Sequence, residues 1–348
     1  MTAAAGVYKE VVDTWKADEF AKFEFPRLVK ADWPTIYRVK YNMADLLYFQ
    51  EKWAECGPAF DSVVEENPKG PDAAEAAFAS VLCYQKIYEQ THSKEKERAT
   101  LDARASNAAK KSKVDQAKAD KAAESAKLQP KEYTENQKGM IGAFNRYVCY
   151  VKPADDKAKE QMCEVKYARS RTHLEAFHWE EAAVGFKDVA NTCSGKEVGL
   201  LAAQYYLEAV NVVGEHYSPP RPSCFDEMAG EVPKFIELYC KGADANKNAE
   251  DCERLNKVQA DILAKKGEKL VELADTQTGT QALVNYEKGA QAYGEVFDTY
   301  CKKPVEAKQK PQSEKCDKVA YNSARAYQAA RLIAKAIQMR EGLIRFDA

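Results

Sequence analysis

The feature that most constrains the fold is a sequence pattern that recurs along the chain. One copy reads Trp53-Ala-Glu-Cys-Gly-Pro-Ala-Phe60-Asp-Ser-Val63, a second runs from Trp179 through Phe186 to Val189, and the segment 286–296 fits the same frame. Small residues recur where two helices have to approach closely, and large apolar residues lie beside them. Because a unit of this size cannot bury its apolar face alone, the pattern predicts stacked repeats that share a core.

The spacing of apolar residues favours helices throughout. Alternation rich in Val, Ile and Thr, which is typical of strands, is nearly absent, and most of the prolines fall between the apolar-periodic segments. We therefore expect an all-α fold whose first and last helices stand outside the helix pairs. The predicted helices cover about 7–24, 35–50, 51–67, 72–92, 131–151, 156–177, 179–193, 197–216, 225–241, 248–275, 280–301 and 315–342.

The register of the repeats resembles the tetratricopeptide repeat. Tyr41-Asn42-Met43-Ala44 aligns with Tyr321-Asn322-Ser323-Ala324 as a first-helix motif. The other matching positions are small residues, aromatic residues and a closing proline, namely Ser170, Phe60, Phe186, Tyr293 and Pro68. The resemblance covers about residues 33–340 and implies a right-handed α-solenoid of about five hairpins plus terminal helices. Another helical repeat is the alternative.

Composition divides the chain into four segments. Residues 1–32 form an N-terminal helix and lead-in, residues 33–93 the first tetratricopeptide-like repeats, and residues 131–348 the remaining repeats with a C-terminal capping helix. Residues 94–130 are dense in Ala, Lys and Asp and almost free of large apolar residues, so that a helix there has no face to bury. We interpret 94–130 as a charged insertion, either a solvated extension or an arm that contacts a partner.

Ten cysteines give the second constraint. Two helices joined by a tight turn place residues equidistant from the turn side by side, at a separation that a disulfide can bridge. This symmetry predicts disulfides between successive repeats, and the two cysteines left over are assigned to each other. The predicted pairs are Cys56–Cys83, Cys149–Cys163, Cys240–Cys252, Cys301–Cys316 and, by the assignment of what is left, Cys193–Cys224. Reduced thiols buried in the core are the alternative.

Disulfides in this number imply an oxidising compartment, a bacterial periplasm or an extracellular space. Residues 1–7 lack a charged segment followed by an apolar run, so either the protein is cytosolic or a signal or anchor would lie outside the given sequence. No apolar stretch approaches the length of a membrane span. We expect a periplasmic or otherwise extracytoplasmic protein of a bacterial envelope.

The sequence contains no recognisable catalytic or metal-binding motif. The four histidines, His92, His173, His178 and His216, lack the spacing of metal ligands, and no nucleotide, hydrolase or metalloprotease motif occurs in a usable context. We therefore predict a protein that is not an enzyme and that needs no metal and no cofactor. Acidic and basic residues nearly cancel at a net charge of −2, which gives no reason to expect a nucleic-acid partner.

What remains is a surface for another protein. In the tetratricopeptide family the first helices line a concave groove, and the resemblance places aromatic side chains on its wall with charged side chains four positions later. These candidate partner-binding residues are Tyr41, Asp45, Phe78, Tyr167, Arg171, Tyr321 and Arg325. We expect a non-catalytic interaction scaffold or adaptor in an envelope complex for assembly, secretion or motility, which binds a peptide or protein segment. A small-molecule or glycan-binding protein is the alternative, as is simple packing of these aromatics against the next repeat.

Overall fold

A computed structural model of the chain describes residues 2–23, 34–105, 128–217, 221, 223–241 and 248–347. All the regular secondary structure in these ranges is helical, which confirms the predicted all-α class. Contacts divide the chain into two compact units, Met1–Cys193 and Ser194–Ala348. Each unit has its own hydrophobic core.

The first unit contains eight helices in its described residues. They are α1 (Thr2–Thr14), α2 (Ala17–Phe20), α3 (Ile36–Phe49), α4 (Trp53–Glu66), α5 (Ala73–Ala105), α6 (Glu135–Tyr150), α7 (Asp156–Glu175) and α8 (Trp179–Thr192). From α3 onward each helix packs against the helix that follows it. Side-chain caps at Thr35, Thr134 and Asp155 satisfy backbone N–H groups where α3, α6 and α7 begin.

The second unit continues the same pattern. Its helices are α9 (Glu197–His216), α10 (Ser223–Cys240), α11 (Ala249–Asp275), α12 (Gly279–Val296), a π-helical turn (Phe297–Lys302), α13 (Lys303–Glu306), α14 (Cys316–Ala329) and α15 (Ile333–Asp347). Neighbouring long helices pack on one another in chain order, with α14 on α12. A core cluster around Phe297, Val296 and Tyr293 joins α11, α12, the π-helical turn and α14.

Two terminal helices differ from the sequence prediction. The helix expected over about 7–24 is interrupted at Trp15 and Lys16, and the segment around Pro26 lies outside the described residues. The lone helix expected over about 315–342 is a hairpin, because the chain turns at Ala330 to Leu332 between α14 and α15. The apolar periodicity runs through that turn without a Gly or Pro to mark it, which explains the error.

Three hairpins share one turn conformation. The residues Glu51, Phe177 and Arg331 each follow the C-cap of a first helix and adopt a positive φ, of 57°, 63° and 63° respectively. The next residue in each turn donates its N–H five residues back, for example Lys52 to the carbonyl oxygen of Leu47. This is the Schellman arrangement, in which a left-handed residue closes a helix. The same local structure therefore recurs in α3/α4, α7/α8 and α14/α15.

The packing of these hairpins also recurs. Seven residues before each left-handed position lies a fully buried small residue, Ala44, Ser170 or Ala324. Gly185 packs directly over Ser170, so close that a β-carbon at Gly185 would lie 2.2 Å from the Ser170 hydroxyl oxygen. Small residues at this position allow the two helices of a hairpin to approach, as the sequence pattern predicts.

Four disulfides are present among the described residues. Three of them, Cys56–Cys83, Cys240–Cys252 and Cys301–Cys316, are the predicted pairs, with Cα separations of 6.1, 5.5 and 5.8 Å. The first two join consecutive helices, and the third joins the π-helical turn to α14 across the short helix α13. The symmetry argument is therefore right for these three turns.

The other two predicted pairs are wrong. Cys163 is bonded to Cys193, with a Cα separation of 5.9 Å, so neither Cys149–Cys163 nor Cys193–Cys224 forms. Cys163 and Cys193 are symmetric about the turn between α7 and α8, within one hairpin, whereas the symmetry prediction used only the turns between successive repeats. Helical periodicity explains why Cys149 does not bond to Cys163. The buried stripe of α6 is Met140, Ala143, Phe144 and Tyr147, and Cys149 projects from the opposite side as an exposed free thiol.

The predicted charged insertion at 94–130 lies largely outside the described residues. The helix α5 continues past the predicted end near residue 92 to Ala105. Residues 106–127 lie outside the described ranges. The interpretation of this segment as an insertion stays a prediction.

Candidate binding site

An open cleft lies between α9, α10 and α11 in the second unit. Its volume is about 460 Å³, which is in the range of natural ligand sites. The two walls come from α9 and α11, and the floor from the first turns of α10. In the hairpin reading, α9 and α11 are the first helices of neighbouring pairs, which are the helices that line a groove in a helical repeat protein.

The floor of the cleft is apolar. Phe225 and Met228, three residues apart on α10, and Leu207 on α9 are all buried beneath it. On the opposite wall Leu255, Val258 and Ile262 follow helical spacing along α11. An apolar side chain that entered the cleft would therefore lose contact with water on several sides, which is the main source of affinity in such sites.

The rim of the cleft is charged and links its two walls. At one end Lys265 of α11 forms an ion pair with Glu215 of α9 at 2.5 Å. At the other end Gln204 of α9 donates a hydrogen bond to Asp251 of α11 at 2.8 Å. These two links hold the helices at a fixed distance, because both bridge the cleft from α9 to α11.

The ring of Phe225 also contacts two lysine side chains. The ammonium groups of Lys269 and Lys265 lie 3.9 and 5.9 Å from the centre of its ring. Such cation–π contacts leave the cations partly hydrated at the surface while the ring lies in the floor. The mixed rim, with Glu208 and Asp261 against Arg254 and Lys265, suits a ligand with polar groups of both signs around an apolar centre.

None of the residues predicted to bind a partner lines this cleft. Tyr41 is buried and packs edge-to-face on Phe60, with ring centres 5.6 Å apart. Tyr167 makes the equivalent contact with Phe186, also at 5.6 Å. Both contacts lie within one hairpin, α3/α4 or α7/α8, whereas the packing alternative placed these aromatics against the next repeat.

Glu75 of α5 lies beside the first of these tyrosines. Burial and a hydrogen bond to Glu75 raise the pKa of Tyr41. Burial and the same carboxylate raise the pKa of Asp45, which Arg38 opposes. Both predicted residues therefore face another helix of their own unit.

The remaining predicted residues differ in exposure. Phe78 packs against the core, 5.9 Å from the ring of Tyr147, and Arg171 donates to Glu175 one turn later at 3.0 Å. Tyr321, in contrast, is 53% exposed, and Arg325 lies 6.0 Å from its ring centre. The binding role of all seven residues stays a prediction.

Sequence reasoning missed the cleft residues because its search followed one motif position. The signal was present in α9, whose sequence from Leu200 to Val213 is apolar on more than one side. A helix of that kind either is buried all round or leaves an apolar strip for a ligand. The motif position was a weaker guide, because repeats in one chain can fill it differently.

A second, polar depression lies in the first unit between α6, α7 and α8. Its lining includes Arg169, His173, Glu181 and Asp188, together with Val184, which is 74% exposed. Burial lowers the pKa of His173, with Arg169 acting in the same direction and Glu181 in the opposite one.

A tyrosine outside that depression connects two histidines. The Tyr133 hydroxyl lies 2.7 Å from Nδ1 of His173, and its ring stacks on His178 at 4.0 Å. His173 lies on α7, and His178 lies in the turn before α8. Within the described residues no group of three His, Cys, Asp or Glu side chains is arranged to hold a metal ion.

Comparisons with known proteins do not assign the chain to a family. No protein-family model matches the sequence, and no curated protein matches it. In the described part of the chain, none of the helices is both long enough and apolar enough to cross a membrane.

Proposed function

We propose that the chain is a non-catalytic interaction scaffold that binds a peptide segment of another protein in the cleft of α9, α10 and α11. The observation that carries the proposal is the apolar floor formed by the buried Leu207, Phe225 and Met228, at the base of a cleft that opens between α9 and α11. Helical repeat proteins use this position to bind extended or helical segments, whose apolar side chains enter the floor.

We further propose that the hairpins are tetratricopeptide-like repeats of a right-handed solenoid. The shared left-handed turn at Glu51, Phe177 and Arg331 and the buried small residue seven positions earlier support this assignment. Support also comes from the contact between Tyr41 and Phe60, which Tyr167 and Phe186 repeat at the same spacing. Local structure, packing and sequence therefore all support the same two-helix repeat.

The location that best fits the proposal is the periplasm of a bacterium or another extracytoplasmic space. Four disulfides support it, because cytosolic thiols are kept reduced. The scaffold would then serve an envelope complex for assembly, secretion or motility.

The peptide expected in the cleft follows from its lining. Two or three apolar side chains would occupy the floor, and polar groups of both signs would meet Glu208 and Arg254 at the rim. Since the two charges lie on opposite walls, the ligand would have to present its own charges on opposite edges.

The test is selection of peptides from a random displayed library against the whole oxidised chain. Photo-crosslinking should then place the selected peptides on α9 and α11. The variant Val258→Glu, which puts a charge in the wall, should weaken their binding by about tenfold or more. Val284→Glu is the matched control, because Val284 is an exposed helical valine outside the cleft. Selected peptides that bind both variants equally would refute the cleft as the binding site.

A small-molecule or glycan ligand is the second candidate, and the volume of about 460 Å³ favours keeping it. The same variant separates the two. A panel of small apolar and sugar ligands that raises the melting temperature of the parent chain but not of Val258→Glu would support this candidate over the scaffold.

A further inference from the structure

The last helix, α15, carries an exposed apolar stripe. Ile333, Ile337 and Ile344 are 53%, 51% and 70% exposed, although isoleucine is among the residues most often buried. Their spacing of four and seven residues puts all three on one face of the helix. The opposite face packs on the core through Ala336 and the partly buried Met339 and Leu343.

The first hairpin shows what such a face does when it is covered. Aligning the shared turns of α3/α4 and α14/α15 makes Gly57 the equivalent of Ile337, and Val64 the equivalent of Ile344. Val64 is completely buried, and Gly57 packs so closely on the Tyr84 ring of α5 that a β-carbon would lie 2.9 Å away. In the first hairpin this face is therefore covered by another helix, α5.

The helix α5 is held on that face by polar contacts as well as by packing. Ser80 and Tyr84 donate hydrogen bonds to Asp61 at 2.5 and 3.0 Å. Glu75 lies beside Tyr41 and accepts its hydroxyl hydrogen bond. The helix α5 thus brings an acid near its N-terminal end and hydroxyl donors about one and a half and two and a half turns later.

The corresponding positions of α14/α15 keep the frame but change the charge. Tyr321 replaces Tyr41 and Glu341 replaces Asp61, whereas Arg325 stands in place of Asp45 and Arg340 in place of Phe60. Arg340 donates to the neutral Gln328 at 2.7 Å. Neither Arg325 nor Arg340 forms an ion pair within residues 248–347, so the face carries uncompensated positive charge beside its apolar stripe.

The charge also decides against a second copy of the chain. Helical spacing places Arg340 at the edge of the stripe, between Ile337 and Ile344 along the helix axis. A parallel pairing of two copies of α15 across this stripe, or an antiparallel one centred near Arg340, would set the two guanidinium groups against each other. An antiparallel pairing in another register would bury each Arg340 against apolar side chains of the other copy. Both arrangements are unfavourable for a charged side chain.

We propose that the exposed face of α14/α15 is a docking surface for an amphipathic helix of another protein, whose apolar stripe is flanked by acidic side chains. The apolar side chains would lie on Ile333, Ile337 and Ile344, as α5 lies on α4. The acidic side chains would meet Arg325 and Arg340. This surface is separate from the cleft of α9, α10 and α11, and does not depend on it.

The test uses the whole oxidised chain and two synthetic helical peptides of about five turns. Both carry the same apolar stripe, but one is flanked by Glu and the other by Lys. We expect fluorescence anisotropy to show binding of the Glu peptide, at least about tenfold tighter than that of the Lys peptide. Ile337→Glu and Ile344→Glu should abolish it, and Val184→Glu, at an exposed valine of the first unit, should not.

Two further variants make the outcome decisive. Ile337→Ala truncates the central isoleucine of the stripe without adding charge, so weaker binding there cannot be due to repulsion. Arg340→Glu should weaken binding of the Glu peptide and strengthen binding of the Lys peptide. Equal binding of both peptides, or binding that survives Ile337→Glu, would overturn the proposal. A dimer of the parent chain that Ile337→Glu dissociates would also overturn it, by assigning the face to a second copy.

Discussion

Gly267 of α11 and Gly289 of α12 pack backbone against backbone. A β-carbon on Gly289 would lie 3.0 Å from the carbonyl oxygen of Gly267 and 2.8 Å from a methyl carbon of Val271. Conversely, a β-carbon on Gly267 would lie 3.1 Å from the carbonyl oxygen of Gly289. The closest approach of these two helices therefore depends on the absence of side chains at both positions.

We expect Gly289→Ala to destabilise the chain by about 1–3 kcal/mol, because backbone and Val271 both have to shift. Gly230 is the matched control: it also lies in a helix, but a β-carbon there would meet nothing within 4 Å. Gly230→Ala should be neutral or stabilising by up to about 1 kcal/mol. Chemical denaturation of both variants measures the difference. Equal effects at the two glycines would contradict the close approach.

The disulfide between Cys163 and Cys193 should contribute about 2–4 kcal/mol to the free energy of unfolding. Replacing both cysteines with serine removes a cross-link that closes a hairpin with a sequence separation of 30 residues. Cys149→Ser, at an exposed free thiol, should change stability by less than about 0.5 kcal/mol. Non-reducing peptide mapping checks the connectivity, and a peptide that joins Cys149 to Cys163 would contradict it.

The stability of the first unit should fall in mildly acidic solution because of His173. Burial lowers the pKa of its imidazole, so the folded state binds fewer protons than the unfolded state. The contribution of neutral His173 to the free energy of unfolding is therefore complete above the unfolded pKa of about 6.5, and it is lost as the pH falls through the lower pKa of the folded state. In His173→Gln, which keeps a polar partner for Tyr133 but does not titrate, the unfolding free energy should decline less between neutral and acidic pH. An unchanged slope would show that other groups cause the decline.

Arg331 is a candidate for stabilisation by glycine. Its φ of 63° lies in the left-handed region, which costs a side-chain-bearing residue about 1 kcal/mol. Arg331→Gly should therefore raise the free energy of unfolding by up to about 1 kcal/mol, offset in part by greater freedom of the unfolded chain. Arg331→Val should lower it, because a β-branched residue fits this conformation worst. A melting-temperature series with Arg331→Ala as reference measures both effects.

The cysteines show how far sequence reasoning reaches. Symmetry about a turn located three disulfides, because a helix hairpin fixes which residues are level with each other. The symmetry rule failed at Cys163 because this residue has two possible partners, Cys149 about one turn and Cys193 about the next. The choice depends on which side of α6 faces α7, and the spacing of Met140, Phe144 and Tyr147 in the sequence already indicates that Cys149 faces away.

The predicted groove residues show a limit of reasoning from the sequence. Tyr41 and Tyr321 occupy one motif position, but Tyr41 is buried and packs on Phe60, whereas Tyr321 is exposed and the position that corresponds to Phe60 is Arg340. The motif alone does not carry that information. The cleft over Phe225 was beyond reach for a different reason, because it depends on how far apart α9 and α11 are held by Lys265 with Glu215 and Gln204 with Asp251.

Every disulfide in the described chain closes over a short stretch, with sequence separations from 12 to 30 residues. Helices likewise pack mainly on their neighbours in the chain. A polypeptide of this kind needs no contact with its distant C-terminal part before its N-terminal pairs can be oxidised. Its N-terminal hairpins can therefore fold and be cross-linked one after another, before the C-terminal part of the chain has folded.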